Sequence, residues 1–238
     1  MKAVILAGGK GTRLVPYTTV FPKPLMPIDG MPILEVIVRQ LAHFGIKELI
    51  FTVSKQSEPL LSAYFGNGSQ YGVNIAYSRE EKPLGTSGPL SLIPDLPGTF
   101  LVMNGDILTT LDYRKVIEFH RRKKGALTIA MHQKKVQVEL GVMEFDRTYQ
   151  LTRYVEKPTL TYSVSMGVYV FENKVLQWIP SRRYLDFPEL VQTLIKERER
   201  VVCYPSDDFW LDIGRPEDYE EAQKKFPEMR KKLLYEKK

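Results

Sequence analysis

The alternation of strand-like and helix-like segments in the first half of the chain limits its possible folds more than any other feature. Residues 3–6 form a short, continuous apolar run that ends at glycines, as does a strand buried on both faces of a parallel sheet. Residues 33–44 carry apolar side chains at helical spacing, with Pro32 before them and Gly45 after them. The rhythm continues with predicted strands at 49–53, 73–77, 100–103 and 127–131, and with predicted helices at 59–65 and about 112–123. We therefore expect an α/β fold with a mainly parallel sheet and helices on both faces. Ser57 and Asp112 are the candidate caps of the latter two helices.

The second half of the chain has a different pattern. Residues 142–145, 151–155 and 165–171 are predicted strands without long helices between them, which indicates antiparallel additions to the sheet. Predicted helices at 187–198 and 216–225 flank a predicted strand at 201–204. Because no linker or repeat interrupts the chain, we expect one domain over residues 1–225, divided near residue 125 into two halves. A charged tail follows at 226–238.

Composition excludes several classes of protein. The chain has 238 residues, of which 43% are hydrophobic, and no stretch approaches the roughly 20 apolar residues of a membrane span. Cys203 is the only cysteine, which rules out an internal disulfide and favours a reducing, cytoplasmic location. The net charge is +6, but residues 225–238, with six basic and two acidic side chains, supply +4 of it. We therefore expect neither a nucleic-acid partner nor a membrane partner.

A glycine-rich segment follows the first predicted strand directly. Gly8, Gly9 and Gly11 let the backbone approach a ligand closely and direct several N–H groups at an anion. The spacing fits neither a Walker A loop nor a dinucleotide fingerprint, since Leu14 occupies the place of the third glycine. A simple glycine-rich turn would explain the segment equally well, but Arg13 at its end suits triphosphate oxygens.

A lysine between two prolines follows soon after this segment. Pro22, Pro24 and Pro27 predict an extended, stiff backbone that holds Lys23 in place. A lysine is ordinarily solvated surface, but this one is expected to be positioned for a ligand.

Two aspartates follow apolar segments in the two halves of the chain. Asp106 follows the predicted strand at 100–103 and Asn104, at the edge of the sheet where ligands collect. Asp212 lies between apolar residues and Gly214. Turn formation and helix capping are the alternative roles. Two carboxylates beside a phosphate site would together form a site for Mg²⁺.

One more charged pair is a candidate for ligand binding, and two other kinds of site are disfavoured. Lys157 would hold the phosphate of a sugar phosphate and Glu156 its hydroxyls, although a surface ion pair explains this pair as well. The three histidines and Cys203 lack the spacing of a zinc site. Ser87 lacks the flanking pattern of a hydrolase nucleophile.

In this order, the motifs resemble the signature of the sugar-1-phosphate nucleotidyltransferases. The resemblance covers residues 1 to about 222. It is carried by the segments GGKGTRL (8–14), FPKPL (21–25), PLGTSGP (83–89), NGD (104–106), EKP (156–158), GVYVF (167–171) and WLDIG (210–214).

The resemblance implies a Rossmann-like fold with a small antiparallel sugar-binding portion, and a role for each half of the chain. The first half would bind the nucleotide through Leu6, Ala7, Gly8, Gly9, Gly11, Thr12, Glu80, Glu81, Pro83, Gly85 and Thr86. The sugar phosphate would be held by Asn104, Gly141, Glu156, Lys157 and Gly167, mostly from the second half. Arg13, Lys23 and Asp106 would be catalytic, and Asp106 and Asp212 would bind Mg²⁺.

The implied reaction joins a nucleoside triphosphate (NTP) to a sugar 1-phosphate and releases pyrophosphate. Residues 78–90 look most like the mannose-1-phosphate guanylyltransferases, and Glu80 or Glu81 would accept hydrogen bonds from guanine. A UTP- or dTTP-dependent glucose-1-phosphate enzyme is the alternative. A silent regulatory relative is disfavoured, because both aspartates and Arg13 are present. Self-association into a homo-oligomer is expected.

Overall fold

A computed structural model of the chain describes residues 1–9 and 11–236. The helices are α1 (Ile33–His43), α2 (Glu58–Phe65), α3 (Tyr113–Lys123), α4 (Phe187–Lys196) and α5 (Pro216–Leu233). The strands are β1 (Lys2–Leu6), β2 (Pro27–Ile28), β3 (Met31–Pro32), β4 (Glu48–Ser54), β5 (Asn74–Glu80), β6 (Thr99–Asn104), β7 (Ile107–Thr109), β8 (Leu127–Gln137), β9 (Val142–Phe145), β10 (Leu151–Val155), β11 (Thr159–Glu172), β12 (Val201–Pro205) and β13 (Trp210–Asp212).

A seven-stranded mixed sheet forms the centre of the molecule, in the order β12-β8-β11-β6-β1-β4-β5. The ladders β6–β1, β1–β4, β4–β5 and β8–β12 are parallel, whereas β11 is antiparallel to both of its neighbours. The hairpin β9–β10 forms a separate antiparallel sheet. The predicted α/β class, the mainly parallel sheet and the antiparallel additions are thereby confirmed.

Apolar side chains cover both faces of this sheet. Along β1, Ala3 and Ile5 pack with α1, while the alternate residue Val4 packs with Leu190 and Leu194 of α4 on the opposite face. Burial on both faces is why the sequence of β1 is continuously apolar rather than alternating.

The predicted charged tail begins as part of a helix. The structure extends the helix predicted at 216–225 as far as Leu233, with Pro227 inside it. Phe226 and Leu233 are fully buried in a third cluster with Ile28 and Ile213. Because these apolar residues continue the packed face of α5, the basic residues between them occupy only its exposed face.

Two local predictions differ from the structure. Ser57 precedes α2, but its hydroxyl accepts a hydrogen bond from the backbone N–H of Ser54 (3.0 Å) and does not cap the helix. The proline segment is extended at Pro22 and again at Met26 and Pro27, but residues 23–25 between them form one turn of 3₁₀ helix. Proline is compatible with the start of a helical turn, because the missing N–H would have no partner there. The predicted cap of α3 is confirmed: Asp112 accepts a hydrogen bond from the Arg114 backbone N–H at 3.0 Å.

Within the described residues, the structure contains no helix of the length and apolar character that crossing a bilayer requires.

Candidate nucleotide and metal site

The glycine-rich loop begins where β1 ends, at the carboxyl edge of the parallel strands. The backbone N–H of Ala7 donates to the Thr52 carbonyl at 2.9 Å, which continues the ladder with β4 for one more residue. A Cβ built on Gly8 would lie 2.6 Å from Oε1 of Glu80, whereas one on Gly9 would meet nothing within 4 Å. Gly8 is therefore required for the close approach of Glu80, and Gly9 has open space beside it.

Gly11 turns this loop back toward the lysine of the proline segment. It has a left-handed φ of 62°, and its carbonyl accepts hydrogen bonds from Thr18 Oγ1 (2.7 Å) and the Leu14 N–H (2.9 Å). A Cβ on Gly11 would lie 3.3 Å from the Cβ of Lys23. Thr12, at the start of the next short turn, is exposed, and Lys10 lies outside the described residues. The loop and Lys23 are thus packed together.

Lys23 and Asp106 form an ion pair that is largely buried. The ammonium group of Lys23 contacts Oδ2 of Asp106, and the lysine side chain is only 10% exposed. Within the part of the chain that the structure describes, the other carboxylate oxygen, Oδ1, is buried without a hydrogen-bond partner. A buried carboxylate oxygen without a partner is costly, and a bound cation would satisfy it.

The two predicted metal carboxylates are neighbours in space although 106 residues separate them. Short strands β7 and β13 pair antiparallel, with Ile107 opposite Asp212, and the Ile213 N–H donates to the Asp106 carbonyl at 3.1 Å. Burial raises the pKa of Asp212, and the nearby charge of Asp106 raises it further, while Lys23 and Arg13 oppose the shift. The two carboxylates therefore repel each other unless a cation lies between them.

Arg13 lies beside the second carboxylate. A Cβ built on Gly214 would lie 3.5 Å from Asp212 Oδ2 and 3.7 Å from Arg13 Nη2. Arg13, at the end of the glycine-rich loop, therefore lies next to the segment that follows β13. Arg13, Lys23, Asp106 and Asp212 form one group, as the sequence predicts.

The donor set of this group fits Mg²⁺. Among residues 1–9 and 11–236 no group of three or more His, Cys, Asp or Glu side chains is arranged around a possible metal position. Magnesium commonly binds through one or two carboxylates, with phosphate oxygens and waters completing the octahedron. A pair of carboxylates beside two cations therefore suits a metal that arrives with a polyphosphate.

The two candidate base-contacting glutamates have opposite environments. Glu80 ends β5, is 7% exposed, and accepts a hydrogen bond from the Leu84 N–H at 2.9 Å. Burial raises its pKa, and the Leu84 hydrogen bond opposes that shift. Glu81 has a side chain that is 65% exposed and pairs with Arg79 at 2.8 Å. Glu80, beside Gly8, is thus the better placed of the two to contact a base.

The loop after Glu80 is held by a segment from the second half of the chain. The backbone N–H of Thr86 donates to Asp186 Oδ1 (3.1 Å), and the Phe187 N–H donates to the Thr86 hydroxyl (2.7 Å). Gly85 has a φ of 77°, and a Cβ there would lie 2.7 Å from the Leu185 carbonyl oxygen. Pro83 is exposed. Thr86 therefore contributes a link to α4, and Asp186, which the sequence did not indicate, completes it.

Two of the predicted sugar-binding residues, Asn104 and Gly167, lie against each other at the end of β6, two residues before Asp106. A Cβ built on Gly167 would lie 2.8 Å from Nδ2 of Asn104, so a side chain at position 167 would displace this amide. Tyr169, two residues further along β11, is a buried residue that the sequence did not single out. Burial raises the pKa of Tyr169 to about 12, and the charges of Asp106 and Asp212 contribute to the rise. The Tyr169 hydroxyl accepts a hydrogen bond from the Ser165 hydroxyl at 3.1 Å.

The remaining sugar-binding candidates lie together on the β9–β10 hairpin and its flanks. Glu156 accepts a hydrogen bond from the Tyr154 hydroxyl at 2.9 Å, and a side chain on Gly141 would overlap that hydroxyl. Lys157 is exposed and has a left-handed φ of 44°. Within the described residues, no hydrogen bond or ion pair joins Lys157 to the group around Asp106, so its part in the site stays a prediction.

Residues 2–228 match the family described as "Nucleotidyl transferase", and the chain belongs to this family. A UTP–glucose-1-phosphate uridylyltransferase of Synechocystis is 36% identical over 248 residues, which cover 93% of this chain and 62% of that protein. A mannose-1-phosphate guanylyltransferase of Mycobacterium tuberculosis is 33% identical over 223 residues, covering 91% and 62%. The chain therefore spans about three fifths of the length of these curated relatives.

Two solved structures have a similar fold. HddC from Yersinia pseudotuberculosis superposes with a TM-score of 0.74 at 28% identity, covering 94% of this chain and 99% of that one. A structure of HddC complexed with GMP-PN gives a TM-score of 0.71 over the same shares.

Proposed function

We propose that this chain transfers a nucleoside monophosphate from an NTP to a sugar 1-phosphate, with GTP and mannose 1-phosphate as the best substrates. The observation that carries the proposal is the group of four residues at the carboxyl edge of the sheet. Asp106 has a buried oxygen without a partner, Asp212 lies next to it, and Lys23 and Arg13 supply positive charge. Such a group is suited to hold a metal-bound polyphosphate.

The reaction follows from charge and alignment. A phosphate oxygen of the sugar 1-phosphate attacks the α-phosphorus of the NTP, and a new P–O bond forms. The bond from the α-phosphorus to the bridging oxygen breaks, and pyrophosphate leaves with the electron pair. Because both reactants are polyanions, the contribution of Arg13 and Lys23 is to neutralise and align them in the transition state. No covalent intermediate on the protein is required.

Magnesium held by Asp106 and Asp212 would neutralise phosphate charge as the leaving group departs. The ion pair with Lys23 holds Asp106 in place, and the β7–β13 ladder brings Asp212 beside it. Both carboxylates are therefore oriented by the fold before a ligand arrives.

Glu80 is the residue on which the preference for guanine rests. Guanine offers donors at its ring N–H and its exocyclic amine, which a carboxylate accepts, whereas uracil and thymine offer one ring N–H. Glu80 Oε2 is engaged by the Leu84 N–H, and Oε1 faces Gly8 in the glycine-rich loop. The HddC structure complexed with GMP-PN supports this choice. The uridylyltransferase name of the Synechocystis relative favours the alternative, UTP with glucose 1-phosphate.

A panel of substrates tests the proposal. Each NTP is paired with mannose 1-phosphate and glucose 1-phosphate, with and without Mg²⁺, and pyrophosphate release is measured. We expect release only with both substrates and Mg²⁺, and the highest kcat/KM with GTP. Glu80→Gln should lower kcat/KM for GTP relative to UTP by roughly 10- to 100-fold, the scale of a charged hydrogen bond to a base.

Glu81→Gln is the matched control, because it removes the adjacent carboxylate, which pairs with Arg79 at the surface. It should leave the ratio between GTP and UTP unchanged. Release of pyrophosphate without a sugar phosphate would mean NTP hydrolysis and would refute transfer. Equal shifts in the two variants would refute the role of Glu80.

A further inference from the structure

A cavity of about 630 Å³ is lined by Asp212 and by the start of α5. Arg13 and Asp212 line it on the side of the catalytic group. Lys134, Lys135 and Arg215 line it as well, from β8 and from the residue before α5. Neither the sequence motifs nor the proposed function assigns a role to these three cations.

The basic and the acidic side chains of this cavity differ in whether they have partners. Within residues 1–9 and 11–236, none of Arg13, Lys134, Lys135 and Arg215 forms an ion pair. The acidic side chains that share the cavity with Asp212 already have partners. Asp218 accepts a hydrogen bond from the Gly214 N–H at 3.1 Å, and Glu221 pairs with Lys225 at 2.5 Å. The cavity therefore has four cations available for an anion next to the metal carboxylates.

The two lysines are carried by a strand that extends beyond the main sheet. Pairing of β8 with β12 ends at Met131, but its pairing with β11 continues to Gln137. The Nδ1–H of His132 donates to the Ser206 carbonyl at 3.1 Å, which ties this extension to the segment before β13. The extended ribbon thus brings Lys134 and Lys135 to the side of the cavity opposite α5.

We infer that this basic cavity binds the diphosphate part of the NTP and the pyrophosphate product, with Lys134, Lys135 and Arg215 as binding residues beyond Arg13. The inference rests on the proposed function. A diphosphate carries three to four negative charges near neutral pH, and several cations around one cavity are suited to bind it. The cavity adjoins Asp212, so a diphosphate there would remain beside a metal ion held by the two aspartates.

The phosphate of the sugar 1-phosphate is the other anion of the same chemistry, and the lining argues against it. None of the predicted sugar-binding residues (Asn104, Gly141, Glu156, Lys157 and Gly167) lines the cavity. Arg13 and Asp212, which are predicted to hold the triphosphate and its metal, both do. The cavity is therefore continuous with the nucleotide side of the reaction.

Calorimetric titration with sodium pyrophosphate in the presence of MgCl₂ tests the inference without requiring turnover. The full chain is compared with Lys134→Ala/Lys135→Ala and with Arg215→Ala. We expect each variant to raise the Kd of pyrophosphate about tenfold, the scale of losing a charge-assisted hydrogen bond. In the forward reaction, the same variants should raise the KM for the NTP and the Ki for pyrophosphate, with the KM for the sugar 1-phosphate unchanged.

Lys47→Ala/Lys115→Ala is the matched control, because it removes two exposed lysines from elsewhere in the molecule. If this control weakens pyrophosphate binding as much, the effect is one of net charge and the inference is overturned. An unchanged Kd in the cavity variants, or a change in the sugar 1-phosphate KM alone, overturns it too. The chain could also bind pyrophosphate tightly, lose that binding in the cavity variants, and yet transfer no nucleotide. That result would refute the proposed function but would support the anion site.

Discussion

Asp106 has the most constrained chemistry of any residue in the site. One of its carboxylate oxygens contacts Lys23, and the other is buried without a partner in the described part of the chain. An aspartate with only a structural role would have both oxygens satisfied, or would be replaced by a smaller polar residue. The proposed Mg²⁺ would satisfy this oxygen.

Asp106→Asn should reduce kcat by at least about 10²-fold, because it removes a principal electrostatic group of the site. The amide can still contact Lys23, so the fold should persist, which circular dichroism checks. Asp207→Asn is the control, since Asp207 is exposed and outside the site. A rate for Asp106→Asn within about threefold of the control would rule out the metal assignment.

At the scale of elements, α5 closes the site from the C-terminal side. It begins next to Arg215 and Gly214, at the cavity, and its apolar face packs against β2, β7 and β13. Tyr219 donates a hydrogen bond from its hydroxyl to the Pro27 carbonyl at 2.5 Å, which fixes the first turns of the helix. The helix thereby supports β13, the strand that carries Asp212.

Phe226→Ala should destabilise the protein by about 3–5 kcal/mol, because Phe226 is fully buried in the cluster between α5 and the small strands. Urea unfolding followed by circular dichroism measures the change. Lys224→Ala, an exposed position on the same helix, should stay within about 0.5 kcal/mol of the wild type. A loss below about 1 kcal/mol for Phe226→Ala would show that this helix is not docked beyond residue 225.

At the scale of the whole molecule, the site joins the two halves of the chain. Asp106 follows β6 in the middle of the sheet, and Asp212 ends β13, the last strand of the second half. The link of Thr86 with Asp186 and Phe187 joins the halves a second time, beside the loop that is proposed to bind the base. Because both halves contribute to the site, ligand binding should stabilise the two halves together. Self-association and a cytoplasmic location stay predictions from the sequence.

Asp212→Asn should raise the Tm of the metal-free protein at pH values above the ordinary pKa of an aspartate, which is about 4. Burial and the charge of Asp106 raise the pKa of Asp212 in the folded state above its ordinary value, so the folded state disfavours its charged form. The stability that this group contributes is complete below the ordinary pKa and is lost as the pH rises through the raised value. The asparagine variant has no such loss.

Differential scanning fluorimetry across pH, with and without Mg²⁺, measures both parts of this expectation. At low pH, where Asp212 is protonated in both folded and unfolded states, the two proteins should melt together. Added Mg²⁺ should raise the Tm of the wild type by mass action and that of the variant less. A variant that is less stable than the wild type at neutral pH without metal would contradict the assigned repulsion.

The sequence alone determined the class of fold, because the period of apolar residues is a local property of the chain. Continuous apolar runs and helical spacing identified β1, α1 and α3 and placed their ends within a few residues. The extension of α5 was missed, since Pro227 and the basic residues around it masked the spacing of Phe226 and Leu233.

Sequence motifs also identified Arg13, Lys23, Asp106 and Asp212, since glycine-rich and proline-rich segments at strand ends are local signals. Only the tertiary structure decided which of the nominated residues meet. The contact of Asp106 with Lys23, the position of Glu80 against Gly8, and the cavity shared by Arg13, Lys134 and Arg215 all depend on long-range pairing. Side chains far apart in the chain acquire relative positions only when strands pair and faces pack, and no local pattern encodes those distances.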